Sequence, residues 1–244
     1  MEVTSIDNLH ERLKSINRRV DISGVSADTS IQELDKIILA AKHYRFICVF
    51  AMPCFTQYMV DHLKDEPDIL VGAAVGFPSG ADTTAIKVLS AKEQIAMGAD
   101  EVDMVMNIGA AKSGRFDLVE DDIRAVVDAM EGKYPVKSIL EVSCLTDDEI
   151  RYASEAAVRA GVTYVKTGTG WGKKPTTLDN IKVIKSVVGD AVKIKAAGGV
   201  HSLDMMLQMM DEGCDRFGIG LRSIMSIMKE VDDRLGRTDD FSLG

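Results

Sequence analysis

Short apolar runs alternate with stretches whose apolar residues recur every three or four positions, from about residue 19 to about residue 235. The runs predict strands near Val20–Ser23, Phe46–Ala51, Leu70–Gly76, Glu101–Met106, Val136–Val142, Tyr164–Thr167, Val192–Ala196 and Arg216–Ile219. The stretches between them predict helices near 30–44, 55–64, 83–97, 117–131, 146–160, 176–188, 202–212 and 222–235, with an extra one at about 6–17. Thr146 with Glu149 fits a capping box, Ser202 and Thr176 stand where N-caps belong, and Gly98, Gly161 and Gly213 close helices ahead of the next strand. Eight strand–helix units in 244 residues predict an α/β protein, a (β/α)₈ TIM barrel preceded by a short helix. A doubly wound open sheet uses the same alternation and is the rival. No fixed-period repeat or Pro-rich linker interrupts the pattern, so residues 1–244 read as a single barrel domain with a polar, loose tail at about 237–244.

Within the strands, parity separates apolar from charged positions. Val102, Met104 and Met106 share one side of the fourth strand, while Glu101 and Asp103 share the other. On the fifth, Lys137 and Glu141 oppose Val136, Ser138 and Leu140; on the sixth, Lys166 opposes Val165. On the seventh, Lys193 and Lys195 oppose Val192 and Ile194. If the apolar sides lie under the helices, the charged sides fill a barrel interior that is normally Val, Ile and Leu. Unpaired charges there would each cost several kcal/mol, so the lysines and carboxylates must pair. An ion-pair network at a solvated mouth accounts for any one of them, but less well for four adjacent strands at once. Lys166, Lys195 and Asp103 lie late in their strands, at the end where barrel active sites sit.

The overall charge, −9, repels nucleic acid and anionic membranes at long range, although local amides and lysines still admit a small anion. Cys48, Cys54, Cys144 and Cys214 form no CxxC pair and no zinc spacing, so they read as reduced, mostly buried thiols. The first residues are too polar for a signal peptide, and the longest apolar run, Phe46 to Phe55, is half the length of a membrane span. The expectation is a soluble cytoplasmic protein that binds neither nucleic acid nor membrane.

Two lysines and a carboxylate suggest a specific chemistry. An ordinary lysine, with a pKa near 10.4, is only ~0.1% neutral near pH 7.5. Burial beside a second ammonium lowers that pKa to roughly 7–8 and makes the amine a nucleophile for carbonyl carbon. The resulting Schiff base draws electrons when an adjacent C–C bond breaks, and Asp103 is placed to shuttle protons. This chemistry needs neither metal nor organic cofactor, and the four histidines have no metal-ligand spacing. Thr167-Gly-Thr-Gly170, Gly198-Gly199 and Gly218-Ile-Gly220 follow the sixth, seventh and eighth strands, where barrels commonly bind phosphate. The expected partner is a small phosphorylated carbonyl compound.

The motifs Val75-Gly-Phe-Pro-Ser-Gly80, Gly98-Ala-Asp-Glu-Val-Asp-Met-Val-Met-Asn107, Glu141 with Leu145-Thr146, Val165-Lys-Thr-Gly-Thr-Gly170 and Lys193-Ile-Lys-Ala-Ala-Gly-Gly-Val200 occur in this order. In them the chain resembles the deoxyribose-phosphate aldolase family of class I lysine aldolases. The resemblance implies Lys166 as the Schiff-base lysine, Lys195 as the second lysine that depresses its pKa, and Asp103 as the proton relay. It implies phosphate contacts at Gly170, Gly198 and Gly199, and Gly220 joins them from the loop after the eighth strand. The implied reaction is reversible cleavage of 2-deoxy-D-ribose 5-phosphate to D-glyceraldehyde 3-phosphate and acetaldehyde. The chain departs from the family at Asp21-Ile-Ser-Gly-Val25, at Cys48-Val-Phe-Ala-Met-Pro53, at Gly168 and Trp171, and at Gly218-Ile-Gly-Leu-Arg-Ser223.

These departures remove loop hydroxyls. Arg222 is either a replacement phosphate donor or a surface residue early in the last helix. His201 could sit at the site's edge, whereas His10, His43 and His62 read as surface or helix residues. Met205, Met206, Met209 and Met210 read as packing, Trp171 as pocket lining or lid, and Cys48 as an inert buried thiol. Three alternatives stay open: a Schiff-base aldolase for another aldehyde or sugar phosphate, an isomerase or epimerase using Asp103 and a lysine, and a non-catalytic sugar-phosphate binder. Barrels of this kind often pair as homodimers, and no stripe in the sequence marks an interface.

Overall fold

The computed structural model describes residues 3–238 and 241–243, with side chains from residue 9 onward. Eight parallel strands close into a barrel: β1 (Val20–Gly24), β2 (Cys48–Ala51), β3 (Leu70–Val75), β4 (Glu101–Val105), β5 (Val136–Ile139), β6 (Tyr164–Lys166), β7 (Lys193–Ala197) and β8 (Arg216–Gly220), with β8 pairing back onto β1. Closure removes the open sheet as a rival. Helix α1 (Val3–Lys14) precedes β1, and the outer ring is α2 (Ile31–Tyr44), α3 (Thr56–Leu63), α4 (Thr84–Ala96), α5 (Ile108–Lys112), α6 (Phe116–Ala129), α7 (Asp147–Ala160), α8 (Leu178–Val188), α9 (Leu203–Asp211) and α10 (Leu221–Leu235).

Local signals set most of these boundaries. Thr146 and Glu149 form the reciprocal capping box at α7, whose first turn carries Asp147, Asp148 and Glu149 against the positive helix end. Ser202 caps α9 through the Met205 amide, while Gly161 ends α7 in the left-handed conformation. At α8 the cap is Thr177, paired with Asn180, and not Thr176. Thr176 is buried instead, its hydroxyl bonded to Thr167 and to the Ala197 carbonyl. Short α5 is an addition to the expected elements, started by the Asn107 side chain accepting from the Ala110 amide. Strand β5 stops at Ile139, short of Val142, because Glu141 takes a left-handed conformation (φ 57°) and opens a 3₁₀ turn, Val142–Cys144.

Outward-facing strand residues such as Ile22, Val49, Val71, Val102, Met104, Val165 and Phe217 are buried against helix residues such as Leu34, Ile37, Ile123, Val126, Ile181 and Ile184. This annulus is the main apolar core, where each fully buried aliphatic side chain contributes about 1.5–3 kcal/mol. It contains a buried clamp: Lys87 on α4 donates to the Val105 carbonyl (2.9 Å) and to Asp122 on α6 (2.6 Å), and Thr84 completes Asp122. The clamp pins two helices to the end of β4. No helix among the described residues is long and apolar enough to cross a membrane. Residues 239, 240 and 244 of the expected tail lie outside the described residues, but Phe241 stacks on His43 with ring centroids 4.0 Å apart, so that part is docked rather than loose.

Candidate active site

Strand register puts Asp21, Cys48, Glu101, Lys137, Tyr164 and Arg216 on inward-facing positions near the strands' N-terminal ends, and Phe50, Asp103, Lys166 and Lys195 nearer the C-terminal mouth. The parity argument therefore holds for most of the charged set. Lys193 is the exception: it is exposed at the barrel floor, 5.7 Å from the centre of the Tyr164 ring, because it opens its strand and has room to snorkel. Glu141 also leaves the interior set, since its left-handed backbone swings it into the β5–α7 loop.

Four cations and three carboxylates form one buried network. Arg216 bonds both oxygens of Glu101 (2.9 and 2.8 Å) and also Asp21. Lys137 bridges Glu101 (2.6 Å) and Asp103 (2.9 Å). The other Asp103 oxygen receives both Lys166 (2.8 Å) and Lys195 (2.7 Å), and Lys195 also pairs with Asp21. Sequence reasoning missed Arg216 and Asp21. Inward parity on β8 and β1 was the signal that could have found them.

Phe50 fills the space among the ammoniums, its ring centre 4.1 Å from the Lys195 nitrogen. Gly72 on the neighbouring strand makes this fit possible, because a Cβ there would lie 2.0 Å from the Phe50 ring.

With one cation in excess, the network favours losing one proton. Burial lowers the Lys166 pKa to about 8; Asp103 opposes the shift, and the neighbouring Lys195 ammonium adds to it. Burial is thus the first cause and the second ammonium a further one. Lys137 shifts the other way: its own burial is outweighed by Asp103 and Glu101, which raise it above the ordinary lysine value. Glu101 falls to about 2 against its own desolvation, mainly through Lys137 and Arg216. Asp103 is held well below the carboxylate range by its three lysines, again against burial.

Lys166 is 8% exposed, Lys195 1% and Lys137 0%, so Lys166 is the amine that reaches the mouth. It opens into a cavity of about 310 Å³ that Asp103, Lys195, Gly170, Gly198, Gly199 and Gly220 also line. All seven site residues expected from the sequence therefore border one space. Gly170, Gly198 and Gly199 have φ of 87°, 83° and 99°, a backbone shape that glycine adopts readily. A Cβ on Gly199 would also lie 2.3 Å from Pro175. Gly220 is different: its φ is ordinary, and it caps α10 so that the helix's first turn borders the cavity. Arg222 is exposed on that turn and lines the cavity too. His201 lies at the edge, with Nδ1 3.0 Å from the Ser223 hydroxyl.

The cysteines divide evenly, Cys48 and Cys214 buried, Cys54 and Cys144 exposed, and all four are free. Sequence reasoning expected mostly buried thiols. Cys54 and Cys144 lie in the turns after β2 and β5, where strand burial has ended. Burial, with Glu101 and Asp21 beside it, pushes the Cys48 thiol well up and leaves it unreactive. Asp21, Cys48 and Glu101 have ligand-type atoms within 4.8 Å of one another. Both carboxylates are already bonded to Arg216, so the donor set is not free for a cation.

A closed (β/α)₈ barrel with a buried amine beside a carboxylate at its C-terminal mouth fits an enzyme of the aldolase class. The comparisons agree: residues 24–223 match the DeoC/LacD family aldolase model, and the chain belongs to that family. A deoxyribose-phosphate aldolase of Staphylococcus carnosus is 40% identical over 215 residues, covering 87% of this chain and 97% of that one. The enzyme of that name from Streptococcus equi subsp. zooepidemicus is 43% identical, covering 88% and 96%. A solved structure from Coccidioides immitis superposes with a TM-score of 0.84 at 31% identity, covering 89% of this chain and 86% of that one. The tetrameric deoxyribose phosphate aldolase of Aeropyrum pernix shares the fold at a TM-score of 0.81 and 22% identity, covering 92% and 95%.

Proposed function

We propose that this aldolase reversibly cleaves 2-deoxy-D-ribose 5-phosphate to D-glyceraldehyde 3-phosphate and acetaldehyde through an imine on Lys166. The observation that carries the reading is Lys166 itself, a buried amine with a pKa near 8 that reaches the cavity while ion-paired to Asp103. Near neutral pH far more of it is therefore neutral than the ~0.1% of an ordinary lysine.

The neutral amine adds to the C1 aldehyde, and loss of water from the carbinolamine gives the iminium. Its cationic nitrogen takes up the electron pair of the C2–C3 bond while the C3 hydroxyl gives up its proton through the Asp103 bridge and glyceraldehyde 3-phosphate leaves as the aldehyde. The remaining enamine is protonated, and water releases acetaldehyde. Asp103 stays ionised under three lysines, so it serves as the bridge along which protons pass, and the Lys195 ammonium on the same oxygen is the donor. The phosphate lies against Gly170, Gly198, Gly199 and Gly220, with the first-turn amides of α10 facing it. A cytoplasmic setting goes with this substrate and with four free thiols.

Borohydride reduction in the presence of deoxyribose 5-phosphate, and separately of acetaldehyde, tests the reading by peptide mass mapping. An adduct at Lys166 with both supports it. An adduct with acetaldehyde alone keeps the imine and moves the substrate elsewhere. Selective labelling with neither would favour acid–base isomerisation on the same scaffold.

A further inference from the structure

Glu141 is a buried carboxylate beside the site that the chemistry above does not use. It is 6% exposed, and its three bonded donors are neutral. One oxygen accepts from the Ser143 hydroxyl at 2.7 Å; the other accepts from both the amide (3.0 Å) and the hydroxyl of Thr169. The Thr169 oxygen in turn accepts from the Trp171 amide at 3.0 Å, and the Trp171 indole N–H donates to the Val25 carbonyl at 2.8 Å. Val25 follows β1, whereas Trp171 follows β6, so this run of hydrogen bonds crosses the barrel mouth. Phe77, after β3, meets the indole edge-on with centroids 6.2 Å apart. Val25, Phe77 and Trp171 all line the cavity that holds Lys166.

The backbone at Glu141 is costly for a side chain of its kind, since left-handed φ is unfavourable for residues other than glycine. Space around it is also reserved: a Cβ on Gly172 would lie 2.6 Å from a Glu141 oxygen and 2.1 Å from the Ser143 hydroxyl. A strained, buried carboxylate whose bonds run into the catalytic loop has the form of a positioning group.

We infer that Glu141 is a positioning residue for substrate binding: through Thr169 it holds Trp171 as a roof over the cavity, and that roof retains the sugar phosphate. Glu141→Gln keeps the volume but turns an amide donor toward a group that already donates, so the loop loses at least one charge-assisted bond. Because this role presupposes an imine-forming substrate in the cavity, the readouts include one that needs no turnover. Trp171 is the single tryptophan of the chain, so its fluorescence reports the roof alone.

The experiment combines steady-state cleavage of deoxyribose 5-phosphate with acrylamide quenching of Trp171 in wild type, Glu141→Gln, Trp171→Phe and the double variant. Glu141→Gln is expected to shift Trp171 emission to the red and increase its quenching. Its KM should rise roughly tenfold with kcat within about twofold. Trp171→Phe should raise KM by a similar factor, and the double variant should be no worse than either single one, because both cut the same run of bonds. Unchanged Trp171 emission in Glu141→Gln, a loss confined to kcat, or multiplying effects would each overturn the assignment. If Glu141→Gln does not fold, Thr169→Val cuts the same link and carries the same expectations. Acetaldehyde trapping at Lys166 without cleavage would discard the named substrate and leave the emission of Glu141→Gln to decide the role.

Discussion

Lys137 and Lys166 lie on adjacent strands, both buried, both bonded to Asp103, yet their proton affinities move in opposite directions. Lys137, deeper in the barrel, has a carboxylate oxygen of Asp103 to itself and a second from Glu101. Lys166, at the mouth, shares its Asp103 oxygen with Lys195. Desolvation penalises both ammoniums, so what separates them is the number of carboxylates each can claim. The deep layer is a fully paired structural plug, and the mouth layer carries the surplus charge beside which the Lys166 ammonium is less favoured. A buried lysine is therefore no guide to catalysis until its partners are counted.

Removing the mouth lysine gives the largest effect. Lys166→Ala should abolish borohydride trapping and lower cleavage at least ~10³-fold, as loss of a covalent nucleophile does. Wild-type turnover by this variant would end the imine assignment. In the deep layer, Lys137→Met should instead cost about 3–5 kcal/mol of stability, measured by denaturant unfolding, because Glu101 and Asp103 lose a shared partner. A loss no larger than that of a surface lysine would show that the plug is not structural.

Linkage compares the layers without touching the deep one. The folded-state pKa of Lys166 is lowered, so between about pH 8 and its unfolded value the unfolded chain binds the extra proton and stability rises with pH. Relative to Lys166→Met, which leaves the network balanced, wild-type stability should gain on the order of 1–3 kcal/mol across that window. A parallel pair of stability curves would mean that Lys166 is not destabilised by its charge. The smallest shift is expected in the pH profile of Lys195→Leu, apart from the rate lost with the proton donor. Lys195→Leu removes the like charge beside Lys166 and frees Asp103 for it, so the rising limb of kcat/KM should move from near pH 8 upward by roughly one unit. A limb that stayed in place would leave burial alone as the cause.

Much of this was legible along the chain because the relevant physics is local. Period-2 alternation in Glu101–Asp103 and Lys193–Lys195 announced charges on the side away from the helices, and loop glycines after consecutive strands marked the mouth. Lys193 failed the same rule because parity gives the face of a strand and not the depth along it. Asp21 and Arg216 escaped notice although their parity was right. Each is a lone charge in its strand, and its meaning lies in a partner 195 positions away.

Strand and helix periodicity and the capping at Thr146 and Ser202 were determined by the sequence itself, through contacts within a few residues. The sharing of one Asp103 oxygen by Lys166 and Lys195, 63 and 92 positions downstream, was decided only by closing the barrel. So was the fit of Phe50 into the space left by Gly72, and so was the reach of Trp171 to Val25 across 146 residues. Register and closure bring distant groups within 3 Å, and at that range burial and charge counting, not residue type, set which amine gives up its proton more readily.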